Sequence, residues 1–172
     1  MIAADVKITE YAPFYGRYID KLREDLPLRE GFETHRDMLI RFFEAIPEKK
    51  ADYRYAPGKW SIKEVLQHLI DTERVFMYRC FCIARHDATP LPGFDQDAYI
   101  EPSRAACKTF TSLLEEYKAV RQSSLSLLNS LDDKDLKYSG TASGGTLSAR
   151  AAAFMVLGHE IWHLEIVKER YL

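Results

Sequence analysis

Apolar residues recur at spacings of three and four along most of the chain, the period of an α-helix buried on one face. The first long stretch predicts a helix from about Leu28 to Ile46, with Phe32, Met38, Leu39, Phe42, Phe43 and Ile46 on its apolar side and Pro47 stopping it. The second opens on Ser61-Ile62-Lys63-Glu64, a capping box in which Ser61 and Glu64 each satisfy a backbone donor of the first turn. Ile62, Val65, Leu66, Leu69, Phe76, Cys80 and Ile83 then keep the helical period. A third helix is predicted to start after Pro102, with Ser103 as its N-cap, and to end near Leu131. Its stripe runs through Cys107, Phe110, Leu113, Leu114, Tyr117, Val120, Leu127 and Leu128. The fourth runs from about Thr146 to the C-terminus, with Ala152, Met155, Val156, His159, His163, Ile166 and Val167 on its buried side. Phe14, Tyr15, Tyr18 and Leu22 predict one small preliminary helix. No run alternates as a strand does, and no segment repeats.

Four amphipathic helices make an all-α four-helix bundle the economical fold, and a length of 172 residues fits one domain over 1–172. The helices are joined by connections of roughly a dozen residues or more, too long for tight up-and-down turns and long enough to cross the bundle or wall a pocket. Thr89-Pro90-Leu91-Pro92-Gly93-Phe94-Asp95 is stiff and partly apolar, and is expected to pack down as a lid. Ser139–Thr146 is rich in glycine and hydroxyls but lacks the Gly-Lys-Ser/Thr ending of a phosphate-binding loop, so it reads as a flexible connection. Lys134 and Asp135 read as part of a solvated linker.

The composition narrows the partners. A hydrophobic fraction of 47% supports a full core, and a net charge of −2 gives no electrostatic footprint for nucleic acid or anionic lipid. No apolar run approaches the ~20 residues that span a bilayer, and the opening MIAADVKITEYAPFY has neither the basic nor the apolar region of a secretory signal. A cytoplasmic protein is the resulting expectation. Cys80 and Cys82, two apart on a helix, face nearly opposite sides, and Cys107 falls in an apolar stripe. All three are expected to be free, buried thiols.

His159 and His163 are four apart, so both lie on one helix face, about 6 Å apart along the axis. They interrupt a buried stripe, where an uncompensated pair of imidazoles is unfavourable, and from there both rings can tilt towards one ion. A third ligand is needed. His68 is the leading candidate because it sits in the apolar face defined by Val65, Leu69 and Thr72 on another helix. His86, in Arg-His-Asp at a helix C-terminus, more simply complements the helix dipole, and His35 beside Arg36 and Asp37 reads as solvated. Trp60 and Trp162 read as apolar anchors. Glu160 and Asp71 are weaker candidates for orienting an imidazole.

Tyr53 through Leu69, with its Lys59-Trp60-Ser61 opening and His68 seven residues after Ser61, the Pro90–Asp95 loop, and Gly158-His159-Glu160-Ile161-Trp162-His163 together resemble the DinB/YfiT-like superfamily. The resemblance implies up-down-down-up topology and a divalent ion, Zn²⁺ or Ni²⁺, held by His68, His159 and His163. It also implies a homodimer. Relatives include metal-dependent hydrolases and enzymes that use a low-molecular-weight thiol.

Three neutral imidazoles leave coordination positions open, the arrangement of a catalytic rather than a structural site. The open position can activate a water for hydrolysis or a thiol for transfer, and the ligand set alone does not choose. The favoured reading is a metal-dependent hydrolase or thiol S-transferase acting on a small molecule. The other is a non-catalytic, stress-response metal protein in which the ion staples two helices.

Overall fold

The capping box at Ser61 forms as its sequence predicts: Glu64 N donates to Ser61 Oγ at 3.3 Å and Ser61 N to Glu64 Oε2 at 2.6 Å. From that cap the long helix α3 (Ile62–Ala84) runs through the protein, and a computed structural model describing all 172 residues shows what surrounds it. In chain order the helices are α1 (Gly16–Ile19), α2 (Leu28–Glu44), α3, α4 (Gln96–Ser103), α5 (Phe110–Asn129), α6 (Asp133–Leu136) and α7 (Ala149–Arg170). Strands β1 (Ser139–Ala142) and β2 (Gly145–Ser148) form one antiparallel hairpin. No helix is long and apolar enough to cross a membrane.

Side-chain pairs fix the directions. On α3 and α7, His68 meets His163 while Phe76 meets His159, so the two run antiparallel. On α3 and α5, Gln67 bonds Glu116 and Glu73 bonds Ser124, so these run parallel. Arg29 of α2 reaches the Leu128 carbonyl while Phe43 packs on Phe110, which makes α2 and α5 antiparallel. His35 beside Glu160 and Phe42 under Lys168 make α2 and α7 parallel. The topology is therefore up-down-down-up. The sequential helices α2 and α3 sit at opposite corners, each flanked by α5 and α7.

Because α3 and α5 are parallel, the connection 85–109 has to return along the bundle. It carries the Pro90–Asp95 loop and α4, which lies against α3. The loop is pinned to the hairpin: Leu91 N donates to the Thr141 carbonyl at 2.9 Å, Ser143 N donates to the Leu91 carbonyl at 3.0 Å, and Leu91 is buried.

Four expectations are corrected. The third long helix starts at Phe110, not after Pro102: Thr109 caps it, accepting from Ser112 N at 3.1 Å. Pro102 lies instead inside α4, which ends at Arg104 in the left-handed region (φ 53°). Cys107 consequently falls in a short 3₁₀ turn and is exposed, whereas Cys80 and Cys82 are buried as expected. The Ser139–Thr146 segment is not a loose loop but belongs to the hairpin, whose turn residues Ser143 and Gly144 have φ of 52° and 77°, the positive values a tight two-residue turn needs. The last helix accordingly begins at Ala149, capped by Ser148.

The apolar core is split in two. One half holds Phe32, Phe76, Leu128, Phe154 and Leu157, the other Leu39, Phe43, Leu66, Leu113 and Leu164. Between them every long helix contributes polar groups to one layer: His35, Glu73, Arg121 with Ser124, and His159 with Glu160, all buried. The histidine cluster lies along this layer.

Candidate metal centre

The four-residue spacing on α7 stacks His159 and His163 with ring centroids 4.4 Å apart, and the antiparallel α3 brings His68 to 4.8 Å from each. One ring nitrogen from each of the three lies within 4.8 Å of the others. His68 Nε2 is 3.0 Å from His159 Nε2, and His68 Nδ1 is 3.4 Å from Thr72 Oγ1. The tautomer in which Nδ1–H donates to Thr72 leaves the Nε2 lone pair of His68 facing the cluster.

Aromatic side chains wall the cluster. Trp60 lies 4.6 Å from the His68 ring and stacks on His163 at 6.5 Å, its carbonyl accepting from Tyr171 Oη at 2.8 Å. Trp60 is thus a wall of the site rather than only a core anchor. Tyr18 stands edge-on to His159 at 5.1 Å. It can do so because residue 158 is glycine: a Cβ there would sit 2.0 Å from the Tyr18 carbonyl oxygen.

Burial in this apolar shell disfavours charge. It pushes the His68 imidazole down to about 3, helped by His163, and that of His163 down to about 4. His159 is held well below its usual value by burial and by the other two rings. The unfolded chain takes up protons near pH 6.5 that these folded imidazoles refuse. The stability of the metal-free protein is therefore fully present above about pH 6.5 and is lost progressively as the pH falls towards 4 and 3. The interval from 6.5 to 5 is diagnostic, because Arg150 beside Glu10 and Arg54 beside Glu64 outweigh burial and hold these carboxyls below the usual carboxylate range, so that what they contribute is lost only at lower pH. Thermal unfolding of chelator-treated protein checks this: a lower melting temperature at pH 5 than at pH 7 is expected.

The donor set suits a divalent ion. Three neutral imidazoles are ligands for zinc, nickel, copper or iron, and tetrahedral bonds of ~2.0–2.1 Å place ligand nitrogens about 3.3 Å apart, a separation compatible with this cluster. No cysteine or carboxylate joins the three as a fourth ligand. Cys80 is an inert thiol, pushed up to about 12 by burial. A cleft of about 480 Å³ reaches His159 from one side, between Tyr15, Tyr18, Thr72, Phe76, the lid residue Phe94 and the hairpin residue Ser143. The Pro90–Asp95 loop therefore does wall a pocket.

The remaining candidates are elsewhere. His35 is buried, not solvated, with Nδ1 3.4 Å from Glu160 Oε2 but outside hydrogen-bonding geometry. His86 is exposed just past α3, stacked on Tyr138 at 3.6 Å and 3.2 Å from Asp135. Glu160 orients no imidazole of the cluster: it accepts from Tyr117 Oη at 2.9 Å and from Arg121 Nη2. Asp71 bonds Gln67 and Arg74 instead. The buried Arg121–Glu73–Glu160 group was not singled out in the sequence. Its signal was there, since Glu73 and Arg121 fall at core positions of the apolar period, four residues on from Leu69 and Tyr117.

A four-helix bundle of this topology with a three-histidine cluster defines a recognisable class. Residues 31–167 match the DinB superfamily, and the chain belongs to it. Over 140 residues the chain is 25% identical to an Oceanobacillus iheyensis protein named "Putative metal-dependent hydrolase", the match covering 79% of each. YfiT from Bacillus subtilis, described as a probable metal-dependent hydrolase with an unusual four-helix bundle topology, superposes with a TM-score of 0.71 at 18% identity, over 98% of this chain and 95% of its own. The DinB-like protein YjoA of Bacillus subtilis gives 0.58 at 20% identity, over 83% and 90%. At those identities the two structures speak for the fold.

Proposed function

We propose that His68, His159 and His163 hold one divalent metal ion, zinc or nickel, and that the protein is a metal-dependent enzyme acting on a small molecule bound in the cleft beside His159. The observation that carries this reading is the convergence of three neutral imidazoles, His68 and His159 buried and His163 half-buried, beside a cleft that His159 lines. Such an ion supplies Lewis acidity, enough to lower the pKa of a water or a thiol to near neutrality. The chain's own residues set the conditions. Thr72 selects the tautomer of His68, Trp60 and Tyr18 fix the ring planes and exclude water, and the lid closes the far side of the cleft. Hydrolysis is supported by the name of the Oceanobacillus relative, and transfer to a low-molecular-weight thiol is the alternative reaction at the same centre.

Metal-reconstituted protein assayed on ester and amide panels, and on electrophiles with cysteine, glutathione or coenzyme A, tests the proposal. Turnover in one panel is expected, lost on chelation and in His163→Ala. No turnover in either, with a melting temperature that drops on chelation, would favour the non-catalytic reading in which the ion staples α3 to α7.

A further inference from the structure

Beside the cleft that His159 lines, in the wall of a second cleft that shares Gly93 and Phe94 with it, lies a charged residue that the metal chemistry does not use. Arg79 lies on α3 eleven residues after His68, which is three helical turns and so the same face, with Thr72 and Phe76 between them. Its side chain is 1% exposed. Burying a guanidinium away from water is unfavourable unless an anion compensates it, and each of the other buried or half-buried arginines here, Arg29, Arg36, Arg121 and Arg150, has a carboxylate partner. Arg79 has none. Its hydrogen bonds go only to neutral acceptors: Nη2 donates to the Pro92 carbonyl and to Ser143 Oγ, both at 2.9 Å, and Nη1 reaches Tyr15 Oη at 3.5 Å.

Those partners frame the cleft. Tyr15 belongs to the N-terminal segment and Ser143 to the hairpin turn, and both line the cleft with His159. Pro92 is in the lid. The guanidinium sits 5.8 Å from the Phe76 ring and 5.6 Å from the Phe94 ring, and Phe76 is itself 6.2 Å from the His159 ring. Arg79 also lines a smaller cleft of about 270 Å³ under the lid, and the two clefts share Gly93 and Phe94. The acidic side chains nearby do not neutralise it. Asp95 spends its carboxylate capping α4 (3.0 Å to Asp97 N), and Asp97, in the first turn of α4, is exposed with no ion pair to Arg79.

Building on the reading of this cleft as the substrate site, we propose that Arg79 is the recognition point for an anionic group, a carboxylate or a phosphate, carried by the small molecule whose other end reaches the three-histidine centre. The guanidinium fork matches either anion, where a neutral group leaves the buried charge uncompensated. The apolar and aromatic walls between Arg79 and His159 fit a hydrocarbon or aromatic body joining the two ends. The substrate class is thus an amphiphilic organic anion.

The test uses the full-length protein, metal-free and zinc-loaded, with 4-phenylbutyrate, its neutral amide and phenyl phosphate as probes, titrated by calorimetry. Metal-free protein isolates Arg79 from direct ligation of the ion. There we expect at least about tenfold tighter binding of the carboxylate or the phosphate than of the amide, the scale of a hydrogen bond to a charged group. The tighter anion identifies the source. Arg79→Met should abolish the preference and Arg79→Lys retain part of it. A readout on the wild-type chain guards against a variant that does not fold: the side-chain Nε–H resonance of Arg79 should shift on adding the anion and not the amide. Equal affinity of wild type for anion and amide, or an unmoved Arg79 resonance, overturns the proposal and leaves Arg79 as an anchor of the lid. Failure of the metal reading shows separately, as absence of zinc uptake.

Discussion

Replacing Arg121 by methionine is expected to destabilise the protein by about 3–5 kcal/mol, the range for removing one partner of a buried ion pair. Arg121 is fully buried and holds Glu73 through two parallel hydrogen bonds of 2.9 Å, Nε to Oε1 and Nη2 to Oε2. Its Nη2 also bonds Glu160, and Nη1 donates to the Phe32 carbonyl at 3.0 Å. One side chain of α5 thereby ties down α2, α3 and α7. Burial raises the pKa of Glu160, but the Arg121 charge, with the nearby His35 and the Tyr117 hydroxyl, outweighs it and holds the carboxyl below its usual range. Without Arg121 two carboxylates face each other in the polar layer. Against a total stability of ~5–15 kcal/mol for a domain, that loss is severe. Urea unfolding measures it, and adding Glu73→Gln and Glu160→Gln to the Met variant should recover part of the loss. A single variant within about 1 kcal/mol of wild type would mean the layer is not held by charge pairing.

Gly158→Ala is expected to be the second most damaging change, and its effect falls on the three-histidine cluster. The added Cβ would lie 2.0 Å from the carbonyl oxygen and 2.5 Å from the carbonyl carbon of Tyr18. Those are backbone atoms, so no rotamer change relieves the overlap, and α1 has to lift off α7. Overpacking a tight site costs typically ~1–3 kcal/mol. The specific consequence is that Tyr18 leaves the edge of His159 and opens the shell around the imidazoles. A raised accessibility of the site, read as faster zinc removal by a chelator, should accompany the lower melting temperature. Unchanged melting and unchanged chelation rate would contradict the close approach of α1 and α7.

The sequence revealed most where one local pattern decided the structure. The bundle helices rest on unbroken 3.6-residue periods, and Ser61–Glu64 marks its helix start to the residue. His159 and His163 were legible from spacing within an apolar stripe. His68 was only the best of three remaining histidines until the Lys59-Trp60-Ser61 resemblance pointed to it. What stayed hidden depended on tertiary context. Cys107 keeps the helical spacing to Phe110 and Leu114, so in the sequence the stripe extends back to it. Thr109, three residues before Ser112, is the cap that ends that illusion. The hairpin has few β-branched or aromatic residues to announce it, and Ser143-Gly144 was its one local signal. His35 looked solvated beside Arg36 and Asp37, because nothing in α2 itself shows that Glu160 of another helix lies opposite. Arg79 is hidden for the same reason, since a long charged side chain is ordinarily solvent-facing, whereas Arg121 and Glu73 at least keep the apolar period of their helices.

The central claim is that three histidines form one metal site, and metal content decides it most directly. Purified wild-type protein, stripped with chelator and titrated with zinc or nickel, should take up about one equivalent per chain by elemental analysis, and His159→Ala, folded by circular dichroism, should retain almost none. Full occupancy in His159→Ala, or a wild type that binds neither metal, would contradict the account.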